Sequence, residues 1–142
     1  MAVRSGQVSV AIEDRNRWML RARDAMDRDF ARPLDVAAVA AVAHVSPAHF
    51  SRQFRATFGE TPHAYLRRRR AERAMELLRE TDRSVTDICF DVGFASLGTF
   101  SRTFREIVGE SPSAYRARFA GPAGPALRIP ACWAMTWLRP AG

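Results

Sequence analysis

Phe50-Ser51-Arg52-Gln53-Phe54-Arg55, followed by Gly59-Glu60-Thr61-Pro62-His63-Ala64-Tyr65, returns fifty residues later as Phe100-Ser101-Arg102-Thr103-Phe104-Arg105, followed by Gly109-Glu110-Ser111-Pro112-Ser113-Ala114-Tyr115. A fixed period of this kind decides how many units a fold has before any element is assigned. Upstream, the match continues with an offset of forty-nine: Val36 with Val85, Val39 with Ile88, Ala40 with Cys89, Ala43 with Val92 and Val45 with Phe94. The second copy therefore holds one extra residue between Phe94 and Phe100, and insertions settle in turns. Two helical units, each of helix, turn and helix, fit this pattern.

Working outward from the repeat, Ser46 has the chemistry of a helix N-cap and Pro47 suits the first helical position, so a helix is predicted from there to about Phe58, where Gly59 stops it. On a wheel of 100° per residue, Phe50, Phe54, Thr57 and Phe58 fall on one side and Ala48, Ser51, Arg52 and Arg55 on the other. One face packs and the other is offered outward, with His49 flanking it. In the second copy Ser96 caps a helix in which Phe100, Phe104, Ile107 and Val108 are expected to pack. Gly98, Ser101, Arg102 and Arg105 take the outward positions, with Thr99 at their edge.

Before each of these helices lies a short one that reads as buried, Val36 to Ala43, apolar almost all round, and Val85 to Val92, opened by the capping-box-like Ser84-Val85-Thr86-Asp87. Thr61-Pro62 repeats the cap-then-proline signal and opens a long helix to about Thr81, with Ala71, Ala74, Met75, Leu77 and Leu78 as its stripe. At 1.5 Å per residue its twenty residues span about 30 Å, close to one turn of duplex DNA. Arg67 to Arg70 load its first half; the run reads either as a solvated face or as phosphate contacts.

Residues 1–11 read as a flexible lead-in, 12–61 as the first subdomain, 62–82 as a linker helix and 83–119 as the second subdomain. Residues 120–142 are a Pro/Gly-rich apolar tail. From Ile12 the stripe Trp18, Ala22, Ala25, Met26 and Phe30 predicts a scaffold helix ended by Pro33. The tail, with Leu127, Ile129, Trp133, Met135, Trp137 and Leu138, is too apolar for a plain solvated end. It reads as folding back on the domain, meeting a partner, helping to enclose a ligand, or disordered.

The bulk numbers narrow the class. The formal net charge is +7 and the pI about 11.0 over 142 residues, the balance of a nucleic-acid binder. All 22 basic residues are arginines. No apolar run is long enough to cross a bilayer, and no signal-peptide core is present. Cys89 and Cys132 fit a reduced cytosolic protein better than a disulfide framework, so the cytoplasm is expected. His44, His49 and His63 have no metal-ligand spacing, and no nucleophile with a base, phosphate loop or convergent carboxylates appears. An enzyme is not expected, nor any cofactor or metal.

The assembled residues resemble the AraC/XylS family of bacterial transcription regulators. The likeness runs from about Val36 to Phe119 and is most specific from Gly93-Phe94-Ala95-Ser96 through Phe100-Ser101-Arg102-Thr103-Phe104-Arg105 to Tyr115-Arg116. It implies an all-α fold of about seven helices, with two helix-turn-helix units joined by a long linker helix. Each unit would place one recognition helix in adjacent major-groove segments. By position, Ala48, Ser51 and Arg52 would face bases in the first unit and Gly98, Thr99 and Arg102 in the second, with Arg55 and Arg105 near phosphates. Ala48 offers only an apolar contact and Gly98 none, so Arg52 and Arg102 carry the expected direct readout. Double-stranded DNA and RNA polymerase are the implied partners, and with its repeat inside one polypeptide the chain is expected to act as a monomer on DNA. A non-specific architectural DNA-binding protein is the alternative.

Overall fold

The computed structural model describes residues 2–120, with side chains at position 7 and over 9–120. Residues 121–142, and with them the expectations for the tail and Cys132, lie outside the described residues. Among the described residues there are seven α-helices and no strand: α1 (Ala2–Arg28), α2 (Val36–Val42), α3 (Pro47–Phe58), α4 (Pro62–Glu80), α5 (Val85–Asp91), α6 (Leu97–Val108) and α7 (Pro112–Phe119). The class and the helix count agree with the sequence reading. The chain divides into two compact units, Met1–Leu66 and Arg67–Gly142, with the division inside α4.

In the first unit α1 packs on α2 and α3. Met19, Ala22 and Met26 of α1 meet Ala40, Ala43, Phe50, Phe54, Tyr65 and Leu66 in one buried cluster, with Trp18 and Phe30 half-buried at its edge. Burying the methionine, phenylalanine and leucine side chains among them contributes roughly 1.5 to 3 kcal/mol each. The backbone of residues 2–11, expected as a flexible lead-in, is instead helical from Ala2. Gly6, at about 1 kcal/mol relative to alanine, is the weakest helix former there, and no proline interrupts the run before Pro33. The described side chains from Gln7 to Arg17 are all exposed.

α2 departs from its apolar reading. Ala40 and Ala43 are buried, whereas Ala37, Ala38, Ala41 and Val42 are exposed. Its apolarity comes largely from alanine, which favours helix wherever it stands and leaves little apolar area in water.

The second unit repeats the pattern on α5, α6 and α7. Ile88, Cys89, Val92, Phe94, Phe100, Phe104 and Tyr115 are buried, together with Ala71, Ala74, Met75 and Leu78 of α4. Burial pushes the Cys89 thiol up, which makes it a packing residue rather than a nucleophile. Ile107, expected to pack, is 41% exposed, and its counterpart Thr57 is exposed as well. The seven residues of α5 are about 10 Å long and cannot cover both ends of α6, about 18 Å long.

The two turns are built alike. In the first, Val45 N–H reaches Ala40 C=O and His44 N–H reaches Ala41 C=O, both at 3.1 Å. In the second, Phe94 N–H reaches Cys89 C=O and Gly93 N–H reaches Phe90 C=O, again at 3.1 Å. This double closure of a helix C-terminus puts one residue, His44 or Gly93, at positive φ. The extra residue of the second copy, Ala95, lies in the turn as expected.

Each unit also carries one tyrosine edge-on to its second phenylalanine: Tyr65 on Phe54 and Tyr115 on Phe104, both with ring centroids 5.6 Å apart. The hydroxyls are used oppositely. Tyr65 donates to Asp27 Oδ1 at 2.6 Å, while the Tyr115 oxygen accepts from buried Arg79. Burial pushes the Tyr115 phenol up, against the downward pull of that guanidinium.

Candidate nucleic-acid interface

A helix can be offered to a ligand only if its other side is anchored, and both α3 and α6 are. Phe50 and Phe54 are fully buried under α3, and Phe100 and Phe104 under α6, with Thr103 buried beside them. Their ends are fixed as well. Ser46 Oγ accepts from His49 N–H at 3.3 Å and Ser96 Oγ from Thr99 N–H at 3.2 Å, while Gly59 and Gly109, at φ of 80° and 94°, close the C-termini. A capping serine contributes about 1 kcal/mol to its helix.

The ten residues expected at the interface divide evenly between these helices. In the first unit Ala48, His49, Arg52 and Arg55 are exposed on α3 and Ser51 is half-buried beside them. In the second, Gly98, Thr99, Arg102 and Arg105 are exposed on α6 and Ser101 is half-buried. Each unit thus brings its own five together on one helix. A Cβ added at Gly98 would meet nothing within 4 Å, so the backbone itself is approachable there.

Electrostatics separates these arginines from the arginine run in the first half of α4. Among the described residues Arg52, Arg55, Arg102 and Arg105 make no ion pair and no side-chain hydrogen bond, and all four are exposed. The run Arg67 to Arg70 behaves differently. Arg67 is bound to Glu106 at 2.8 Å, Arg68 and Arg69 to Glu72 at 2.7 and 2.8 Å, and Arg70 lies 5.9 Å from the Phe94 ring with burial lowering its pKa. The run therefore enters neither of its two sequence readings cleanly: it is a set of intramolecular partners. A guanidinium already held by a carboxylate has less to offer a phosphate than one held by water alone.

Three features escaped the sequence. Leu97, the first residue of α6, is 41% exposed next to Gly98; its place after the cap was the available signal. Ser96 not only caps α6 but donates to Thr99 Oγ1 at 2.9 Å. On α5, Phe90 is 54% exposed between exposed Asp87 and Asp91, the second of which pairs with Arg83. Among the described residues no group of histidine, cysteine and carboxylate side chains could hold a metal, and no helix is long and apolar enough to cross a membrane.

A rod about 10–12 Å across with bare arginines on its outer side suits the DNA major groove, about 12 Å wide. The comparisons agree with that shape. A family model described as a helix-turn-helix domain matches residues 39–118. The HTH-type transcriptional activator RhaS of Enterobacter sp. (strain 638) is 41% identical over 69 residues, 49% of this chain, which spans about a quarter (25%) of that relative. The DNA-binding domain of AdpA, a global transcriptional factor solved in complex with a target DNA, is 31% identical with a TM-score of 0.68, covering 72% of this chain and 92% of that one. A regulator with an AraC-type DNA-binding domain from Chromobacterium violaceum is 30% identical with a TM-score of 0.67, covering 74% and 94%. With more than half of its length inside the matched domain and this fold shared with AraC-type domains, the chain belongs to the AraC/XylS family of helix-turn-helix transcription regulators.

Proposed function

We infer that the chain binds duplex DNA sequence-specifically and regulates transcription, presenting α3 and α6 to adjacent major-groove segments. The observation that carries this is the pair of anchored helices whose outward arginines have no partner among the described residues, while the arginines in the first half of α4 are tied down. Arg52 and Arg102 are assigned to direct readout, where arginine against guanine O6 and N7 is the commonest specific contact. Ala48, Ser51, Gly98 and Thr99 line the same faces, Arg55 and Arg105 meet phosphates, and His49 and Ser101 flank them. The likeness to AdpA, solved on its target DNA, supports the reading.

RNA polymerase is the proposed protein partner, and the outward side of α5 suits it. An exposed aromatic between two carboxylates repels a phosphate backbone and favours a basic protein surface. Activation is the sense in which RhaS is described, and we assign it here, with the cytoplasm as the compartment and one chain per site.

Selecting bound fragments from random duplex DNA tests the central claim. A selected site should bind at least about a thousandfold tighter than random duplex at physiological salt. Equal affinity for all duplexes would make the chain an architectural protein instead.

A further inference from the structure

At the start of α6 two hydroxyls are joined. Ser96 Oγ accepts the Thr99 N–H at 3.2 Å and donates its own hydrogen to Thr99 Oγ1 at 2.9 Å. A threonine hydroxyl has one hydrogen to give and two lone pairs. With one lone pair occupied by Ser96, the Thr99 hydrogen has no acceptor among the described residues, and the side chain is exposed. A hydroxyl that accepts one hydrogen bond becomes a stronger donor of the next. The same contact fixes the Thr99 rotamer, since reaching Ser96 allows only one orientation about its stiff, β-branched χ1.

The first unit has no such device. At the matching step Ser46 accepts from the His49 N–H at 3.3 Å, and the imidazole makes no hydrogen bond to Ser46. The second unit also has Gly98 beside the threonine, where even a methyl group would touch nothing within 4 Å, so a base or phosphate can approach Thr99 closely.

We propose that Ser96 is a positioning residue for DNA reading: it holds the Thr99 hydroxyl as an outward hydrogen-bond donor, so that α6 selects a base presenting an acceptor and rejects one presenting only a donor. In the major groove the accepted bases are guanine, through O6 or N7, adenine, through N7, and thymine, through O4; the rejected one is cytosine, which presents only its N4 amino group. This rests on the DNA-binding reading above and adds to it the polarity of one contact and the residue that sets it.

The test uses the full chain, a selected site, and a panel of duplexes altered one base pair at a time, with relative affinities as the readout. Thr99→Val keeps the shape and removes the hydroxyl; it should erase a roughly three- to tenfold preference at one base pair and leave the others. Thr99→Ser should retain that preference. Ser96→Asp is the decisive variant. Aspartate caps a helix as well as serine but can only accept hydrogen bonds, so the Thr99 hydrogen turns inward and its lone pairs face the DNA. The favoured base at that one position should then change towards cytosine, while thermal unfolding stays as in the parent. The added negative charge weakens every duplex alike and cancels in the ratios.

A Ser96→Asp profile with the parent's base preferences overturns the proposal, as does a Thr99→Val profile unchanged at every position. A merely structural serine would lower all affinities in step with the unfolding temperature and change no preference, which also overturns it. If the parent chain itself shows no preference at any position, the sequence-specific reading has failed first; if Arg102→Ala flattens one position and Thr99→Val none, only the present proposal has failed.

Discussion

His44 takes φ of 58°, in the left-handed region where a side chain crowds the following carbonyl, at a place where the second turn has Gly93 at 101°. The strain of a non-glycine residue there is about 1–2 kcal/mol. What holds His44 in place is its ring, edge-on to Trp18 with centroids 4.2 Å apart, on an indole that also receives the Arg21 guanidinium at 4.8 Å. Such a ring contact is worth about 0.5–1.5 kcal/mol, so strain and contact nearly cancel. His44→Gly should therefore leave stability within about 1 kcal/mol of the parent, whereas His44→Ala, which keeps the strain and loses the ring, should be the less stable of the two. Urea unfolding decides it; an alanine variant as stable as the glycine one would show that the positive φ carries no cost here. At the interface the argument is about one contact instead. Arg52→Ala should cost about 1–3 kcal/mol of binding and relax preference at one base pair, and an equal loss on all sequences would make Arg52 a phosphate contact.

The end of α4 has no glycine to close it. Arg116, on α7, does so from thirty-five or more residues away: Nε donates to Leu78 C=O and Nη2 to Thr81 C=O, both at 3.2 Å, while Thr81 Oγ1 donates to Leu77 C=O at 2.6 Å. A cation at a helix C-terminus with two charge-assisted bonds to otherwise open carbonyls should be worth about 1–2 kcal/mol. Arg116→Met, which keeps the stem, is expected to destabilise the second unit by that amount in denaturant unfolding. Arg118→Met, removing an arginine 60% exposed against Glu110, should cost well under 1 kcal/mol. Equal costs would show that the carbonyl contacts add nothing. The contrast marks what a sequence can disclose. Ser46, Gly59, Ser96 and Gly109 announce the ends of α3 and α6 because their physics is local, and the phenylalanine spacing announces which side is anchored. Arg116 closing α4 and Glu106 holding Arg67 are contacts between distant residues, and nothing in local pattern signals them, whereas Met19 in the first core stands at helical spacing with Ala22 and Met26. The outward position of Arg52 and Arg102 was legible in the same local way; their freedom from partners was not, because it depends on where every carboxylate ends up.

At the scale of the whole chain, a net charge of +7 supplies non-specific attraction to any duplex, so under the function proposed above selectivity would come from the two outward faces acting on one site. In that proposal, tethering raises the local concentration of the second face once the first is engaged, which multiplies affinity without new contacts and without a second chain. One chain should therefore bind a non-palindromic site and protect two major-groove segments about one helical turn apart, near 34 Å. The salt dependence separates the roles within that footprint. Each arginine on a phosphate contributes about 0.9 to the slope of log affinity against log salt, so Arg55→Ala and Arg105→Ala should each reduce the slope by about 1 while leaving base preference intact. Combining Arg52→Ala with Arg55→Ala should abolish protection of one segment and spare the other at raised protein concentration. Footprinting and native electrophoresis across a salt series measure all of this. Two chains per site, or a footprint that vanishes as a whole when one face is altered, would mean that the repeat acts through dimerisation and not through one polypeptide in two grooves.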